Sequence, residues 1–382
     1  MKNPRHTRPF PSVKTGFAKA CAVATMGVAT LLGLPSQAAN AASYVYVANA
    51  DSHDVSVFGM NPANGALTPI ETQSVGGVAM PMAVSADKSR LYVGVRTAPF
   101  RVATFAIDPA TGKLTDLGTA PLAASMAYIS TDATGKYLLS ASYGGNQFSV
   151  NPIGRGGLVG APQQSIPTGP MAHSIMPSPD NRFVFGAVLG EDKWMRFTFD
   201  PADGVLRNET VAFATPAKSG PRFFRFSPDH RFVYLIDELD AKIHVLAFDA
   251  AQGEAHEIQT VSALSPTFGA KVPWASDLHL TPNGRYLYAS ERRDSTLAGF
   301  RVDQKTGKLT RIGSWETETQ TRGFNIDPSG HFLLSVGEKS AHMTVYRIQA
   351  DGKLVKLGRY ATGDGPNWVE VVNIPDSNVA AK

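Results

Sequence analysis

Short apolar runs, each about six residues long and paired across a polar turn, recur along this chain. The clearest pairs are MAVSADKSRLYVGV (82–95), HSIMPSPDNRFVFGAV (173–188), RFFRFSPDHRFVYLI (222–236), DLHLTPNGRYLYAS (277–290) and GFNIDPSGHFLLSV (323–336). Runs of this length bounded by turn residues predict β-strands rather than helices. Pro at the second turn position, with Asp, Asn, Ser or Gly after it, predicts a tight turn between them. A third strand follows, as in VSVFGM (55–60), RVATFAI (101–107), KIHVLAF (242–248) and MTVYRI (343–348).

A second signal keeps the same beat. A Gly turn returns at Gly65, Gly112, Gly156, Gly204, Gly253, Gly307 and Gly352, at intervals of 47, 44, 48, 49, 54 and 45 residues. The fifth copy (QGEAH) carries Ala255 where the others place a branched apolar residue. A short fourth strand follows each turn. Seven units of four strands, at this period, predict an all-β, seven-bladed propeller of antiparallel blades. A long β-sandwich competes, but does not explain one turn returning seven times.

The ends suggest how the ring closes. The first unit begins at YVYVANA without an inner strand, and the C-terminal GPNWVEVVNI is a spare one. Trp368–Val372 is expected to complete the first blade, which removes the open sheet edges. Residues 42–382 are then one propeller.

Residues 1–41 read differently. Lys2, Arg5, Arg8, Lys14 and Lys19 precede an apolar run from Ala20 to Leu34, and Ala39-Asn40-Ala41 offers a small-x-small cleavage site. This is the pattern of a removed secretory signal peptide and places the mature protein in the periplasm. It also changes the charge argument. The whole chain has 36 Lys+Arg and 32 Asp+Glu, but the leader takes five of the basic residues. The remainder is nearly neutral, so neither nucleic acid nor an anionic membrane is an expected partner. The one cysteine, Cys21, leaves with the leader, which excludes disulfides and thiolate metal sites.

If the strands of a blade are lettered A to D outward from the axis, the starts of A and the ends of B share one face of the ring. The A starts carry Met82, Met126, His173, Arg222, Asp277 with His279, Arg322 and Asn367. The B ends carry Asn49, Arg96, Tyr143, Gly190, Asp237-Glu238, Glu291-Arg292 and Glu338-Lys339. An Arg beside a Glu on such a rim also serves as an ion pair between blades, and a lone histidine as a structural one. The convergence of four arginines with His and Glu favours a binding or catalytic rim. Glu291, Lys339 and Lys193 are expected to be solvated charges. Phe223, Phe224 and Phe226 are expected in the core, and Trp274, in the longest insertion, is placed to wall a pocket. Walker, zinc-helix and nucleophile-elbow motifs are absent, and no cofactor or metal is expected.

The strings PMAVSADKSRLYVGVR, AHSIMPSPDNR, SGPRFFRFSPD with LIDEL, ASDLHLTPNGRYLY, TETQTRGFNIDPSG and GRYATGDGPNWV together resemble the seven-bladed lactonase family, and most closely its bacterial 6-phosphogluconolactonase branch. The resemblance spans nearly all of 44–375. It implies a hydrolase that opens a sugar lactone, with catalytic residues at His173, Arg222, Glu238 and Arg322. The family's second histidine position maps onto His279. Arg96, Tyr143, Asp277, His279, Arg292 and Glu338 complete the expected substrate-binding set. The family usually reads His where this chain has Phe223, and often Asn-Glu-Leu where it has Asp237-Glu238-Leu239. Export favours a free sugar lactone, glucono-δ-lactone, over a cytosolic 6-phosphate. A 6-phosphogluconolactonase, a muconolactone-type enzyme and a non-catalytic surface propeller that binds protein or glycan are the alternatives.

Overall fold

Every hairpin expected from the sequence pairs as an antiparallel ladder. Pro221–Phe226 aligns with Phe232–Asp237, Ala172–Pro177 with Phe183–Val188, and Thr321–Ile326 with Phe332–Gly337. The structure, a computed structural model, describes residues 42–269 and 272–374. The signal-peptide segment lies outside the described residues.

Seven four-stranded sheets form the blades of the propeller. Sheet order follows chain order in six of them. In the first, the C-terminal strand Pro366–Ile374 lies inside Ala42–Asn49, with Val47 opposite Val369 and Tyr44 opposite Val372. The ring thus closes with the expected strand, which extends two residues further at each end. Among the described residues no helix is long and apolar enough to cross a membrane.

Burial follows position in the blade. Strand B of blade 6, Tyr286–Glu291, is buried at every residue, because blades cover both its faces. Such strands lose the alternation of a half-exposed sheet. The outermost strand of blade 2, Leu114–Pro121, is mostly exposed. Between blades 4 and 5, Trp194 stacks on Phe185 at 4.4 Å and meets the edge of Phe224 at 5.2 Å. Burying each such ring contributes about 1.5–3 kcal/mol. Phe223, Phe224 and Phe226 join aromatic contacts as expected, although Phe223 faces the axis.

The recurring Gly turn has a packing role between blades. At Gly307 the backbone sits at φ +71° and the position a Cβ would take is filled by the Phe232 ring of the preceding blade. Nearby, Tyr234 donates its hydroxyl to the Gly307 carbonyl at 2.9 Å. Tyr46 does the same to Gly112, and Tyr288 to Gly352. The period seen in the sequence is therefore the period of blade-to-blade contact.

Candidate active site

Six of the seven innermost strands, all but that of blade 3, carry a β-bulge near their starts. In blade 4 the pairing runs Ala172–Val188 and then Ser174–Ala187, which leaves His173 without a partner. In blade 5 it runs Pro221–Asp237 and then Phe223–Ile236, leaving Arg222. In blade 7 it runs Thr321–Gly337 and then Gly323–Val336, leaving Arg322. A bulge re-aims the unpaired side chain, and here three bulges bring His173, Arg222 and Arg322 to one end of the axis. The residue just after strand B faces the same end in five blades: Arg96, Tyr143, Glu238, Arg292 and Glu338. Serine hydroxyls tie the bulges together: Ser174 donates to the Arg222 carbonyl at 2.7 Å, and Ser276 to that of Arg322.

A cavity of about 270 Å³ results, lined by Arg96, Ala127, Tyr143, His173, Glu238, Trp274, Arg292 and Arg322. Glu238 is its hub. One oxygen, Oε2, accepts from Arg222 Nε and from Arg292 Nη2, both at 2.8 Å. Burial pushes this carboxyl up, but Arg222 and Arg292 together hold it below the ordinary value, so it is ionised. Arg222 stands behind Glu238 rather than on the cavity wall. It is 1% exposed, donates to the Ser276 carbonyl and lies 4.4 Å from the centre of the Phe223 ring. Burial, and then Arg292, push its guanidinium down to about 9, still protonated at neutral pH. Arg292 also bonds the Trp274 and Ala275 carbonyls and stacks 3.9 Å from the Trp274 ring centre. Arg322, by contrast, has a loose partner, Glu338 at 3.5 Å. Glu338 is steadied by Gln320. Arg96 bonds Ser125 at 2.9 Å.

His173 is buried between Tyr143 and Phe223, whose rings meet it edge-on at 5.9 and 5.2 Å. Its Nδ1 is buried with no hydrogen-bond partner. Burial, and then Arg222 and the other arginines, hold it well below 6.5, so at neutral pH the imidazole is uncharged. Burial chiefly raises the Tyr143 phenol, which stays a proton donor.

Two expected substrate residues are elsewhere. Blade 6 pairs Ala275 with Glu291 and Leu278 with Ala289, so Ser276 and Asp277 both fall in the bulge; the Ser276 carbonyl meets Arg222, while the Asp277 side chain lines another cavity. Asp277 and His279 lie further along the strand, in a second cavity towards the other end of the axis. At about 3.3 Å rise per residue, His279 is a full half-strand from the rim. Glu291 is not a solvated charge either. It is 1% exposed and accepts from the backbone N–H of Trp274 and of Asp294, each at 2.7 Å. It thereby pins the insertion that carries Trp274, which does wall the cavity. Arg292 stands on the wall, as its position after strand B led one to expect, whereas Arg222's place behind Glu238 was not legible from the rim positions.

The family model described as "Lactonase, 7-bladed beta-propeller" matches residues 41–371. A 6-phosphogluconolactonase from Pectobacterium carotovorum subsp. carotovorum is 43% identical over 329 residues, covering 86% of this chain and 98% of that protein. One from Serratia proteamaculans is 41% identical over 329 residues, with the same coverage. Among solved structures, the periplasmic gluconolactonase of Pseudomonas aeruginosa superposes with a TM-score of 0.78 at 25% identity, covering 87% of this chain and all of that one.

Proposed function

The chain belongs to the seven-bladed β-propeller lactonase family, and on that premise we propose that it hydrolyses a sugar lactone, glucono-δ-lactone, to the aldonic acid. The observation that carries the reaction is the arginine-walled cavity with an uncharged, unpartnered histidine beside it.

In this reading the lactone carbonyl points at Arg322 and Arg292. Water attacks the carbonyl carbon, and His173 takes its proton. The oxyanion forms against the two guanidiniums, whose paired N–H groups suit a carboxylate-like geometry. A preorganised donor of this kind typically lowers a barrier by about 3 kcal/mol. When the ring C–O bond breaks, His173 returns the proton to the leaving ring oxygen. Glu238, ionised and shared by Arg222 and Arg292, fixes the donors rather than acting as base. Tyr143 supplies a further hydrogen bond to the substrate. Asp277 and His279 have no part in this step.

Support for the unphosphorylated substrate comes from residues 1–41, whose basic start, apolar run and small-x-small site read as an export signal to the periplasm. Sugar 6-phosphates are made and held in the cytosol, whereas free sugar lactones arise by oxidation outside it. The relative named as a periplasmic gluconolactonase points the same way. A specific observation favours a second reading, 6-phosphogluconolactone. The rim's four arginines outnumber Glu238 and Glu338, and an anion would suit the excess. Comparing kcat/KM for the free lactone and its 6-phosphate with residues 42–382 separates them. The larger value for the free lactone supports the first reading; the reverse moves the assignment to the second.

A further inference from the structure

The axis of the propeller holds two cavities, not one. Phe223 packs edge-on against Tyr128 at 5.1 Å and Trp368 at 6.0 Å, and Tyr128 meets Trp368 at 5.4 Å. On its other side Phe223 touches His173 and Arg222. The three rings form one cluster beside the axis, and no residue lines both cavities. Beyond it lies a cavity of about 390 Å³, larger than the one at the arginine rim and walled by the innermost strands of all seven blades. Its size falls in the range of small-molecule sites, about 300–1,000 Å³.

The chemistry of this second cavity differs from that of the first. Arg225 is 3.7 Å from Asp277 and 3.3 Å from His279, and also bonds the Phe224 carbonyl. Asp277 is 3.3 Å from His279. The guanidinium is thus answered within the wall and leaves no spare positive charge for an anion. Burial pushes Glu370 up to about 7, and burial lowers His279, so neither group adds a full charge at neutral pH. Trp368 lines the cavity and donates Nε1 to Glu370 Oε1 at 2.8 Å, which fixes ring and carboxyl relative to one another. An aromatic face beside fixed polar oxygens and nitrogens, with charges balanced, suits a ring that is apolar on one face and carries hydroxyls at its rim.

We propose that this second cavity is a binding site for one uncharged, hydroxylated ring of monosaccharide size, with Trp368 as its stacking face and Glu370, Asp277 and His279 as its hydrogen-bonding partners. It shares no lining residue with the arginine cavity, so occupancy of the two is not exclusive. The site stands whatever the reaction at the first cavity proves to be.

Calorimetric titration with methyl α-D-glucopyranoside, a neutral glycoside with no lactone to open, tests it. Saturable binding at one site is expected, weakened at least tenfold by Glu370→Ala and by Trp368→Ala and unchanged by Arg322→Ala. Thermal melts check that the variants fold. The isosteric Glu370→Gln, expected to weaken binding at least threefold relative to wild type, keeps the test open if the alanine variants do not fold. In a Trp274→Phe background the glycoside is expected to change tryptophan emission through Trp368. Absence of saturation, loss of binding in Arg322→Ala with Glu370→Ala unaffected, or tighter binding of gluconate or glucosamine than of the neutral glycoside overturns the proposal.

Discussion

Arg222, at the start of one strand of a hairpin, donates Nε at 2.8 Å to Glu238, just past the end of the other, and both groups are nearly sealed from solvent. Because Arg292 shares the same carboxylate oxygen, removing the carboxylate strands two buried guanidiniums. Breaking a buried pair from one side costs about 3–5 kcal/mol. Glu238→Ala is therefore expected to lower stability by that order, and Glu238→Gln, which keeps one acceptor oxygen, by less. Urea denaturation of the two variants measures the difference; equal midpoints with wild type would remove Glu238 from its role as hub.

Arg322 has the opposite profile. Its partner is distant and its side chain partly exposed. Arg322→Ala is expected to cut kcat by about 10²–10³, the loss typical of one oxyanion donor, with little change in melting temperature. A variant that unfolds, or one with undiminished kcat, contradicts its assignment as a donor.

The pH profile follows from His173. Its uncharged form is the base, and it is held well below 6.5. Acid protonates it, so activity falls only as pH drops through that lowered value. The guanidiniums of Arg222 and Arg292, pushed down to about 9 and about 10, begin to lose protons on the alkaline side. After subtraction of spontaneous hydrolysis, kcat is expected to be level from pH 6.5 to about 8. An ascending limb centred near neutrality would assign the base elsewhere.

Glu370 links stability to pH. Its folded value, about 7, lies above the ordinary 4.5, so the folded state holds the proton more tightly. That stabilisation is complete below the unfolded value and is lost as pH rises through 7. It is on the order of 3 kcal/mol. Glu370→Gln is expected to remove most of this loss between pH 4.5 and 8, measured by urea midpoints.

At the blade contacts, Gly307→Ala combines a positive φ with a clash against Phe232. A non-glycine residue held in the left-handed region costs about 1–3 kcal/mol, and the clash adds to it. Gly156, at φ +78° with open space around it, is the matched control. A larger loss at Gly307 than at Gly156 is expected by thermal denaturation.

Much of the fold was legible because one contact repeats. The Gly turn recurs in every blade's own stretch of sequence, an aromatic meets it at six of the seven, the Pro turn recurs in blades 4 to 7, and the missing inner strand announced the closure. The rim was legible because strand direction alone puts A starts beside B ends. Depth along the axis was not. Whether Asp277 belongs with Arg222 depends on the form of the bulge, and blade 6 has a wider one, with Ser276 and Asp277 both unpaired and Asp277 facing the second cavity. Glu291 was misread because a carboxylate that accepts backbone N–H groups from an insertion looks, in sequence, like any rim charge. Phe223 reads as ordinary core until its neighbours around the axis, Tyr128 and Trp368, are known.

The most direct measurement is acid release from glucono-δ-lactone by purified residues 42–382, followed at neutral pH beside the spontaneous reaction and beside folded His173→Gln and Arg322→Ala variants. The expected result is hydrolysis well above the spontaneous rate by the wild-type protein, reduced at least a hundredfold in each variant. Identical half-lives of the lactone with wild type, with both variants and with buffer alone would contradict the account.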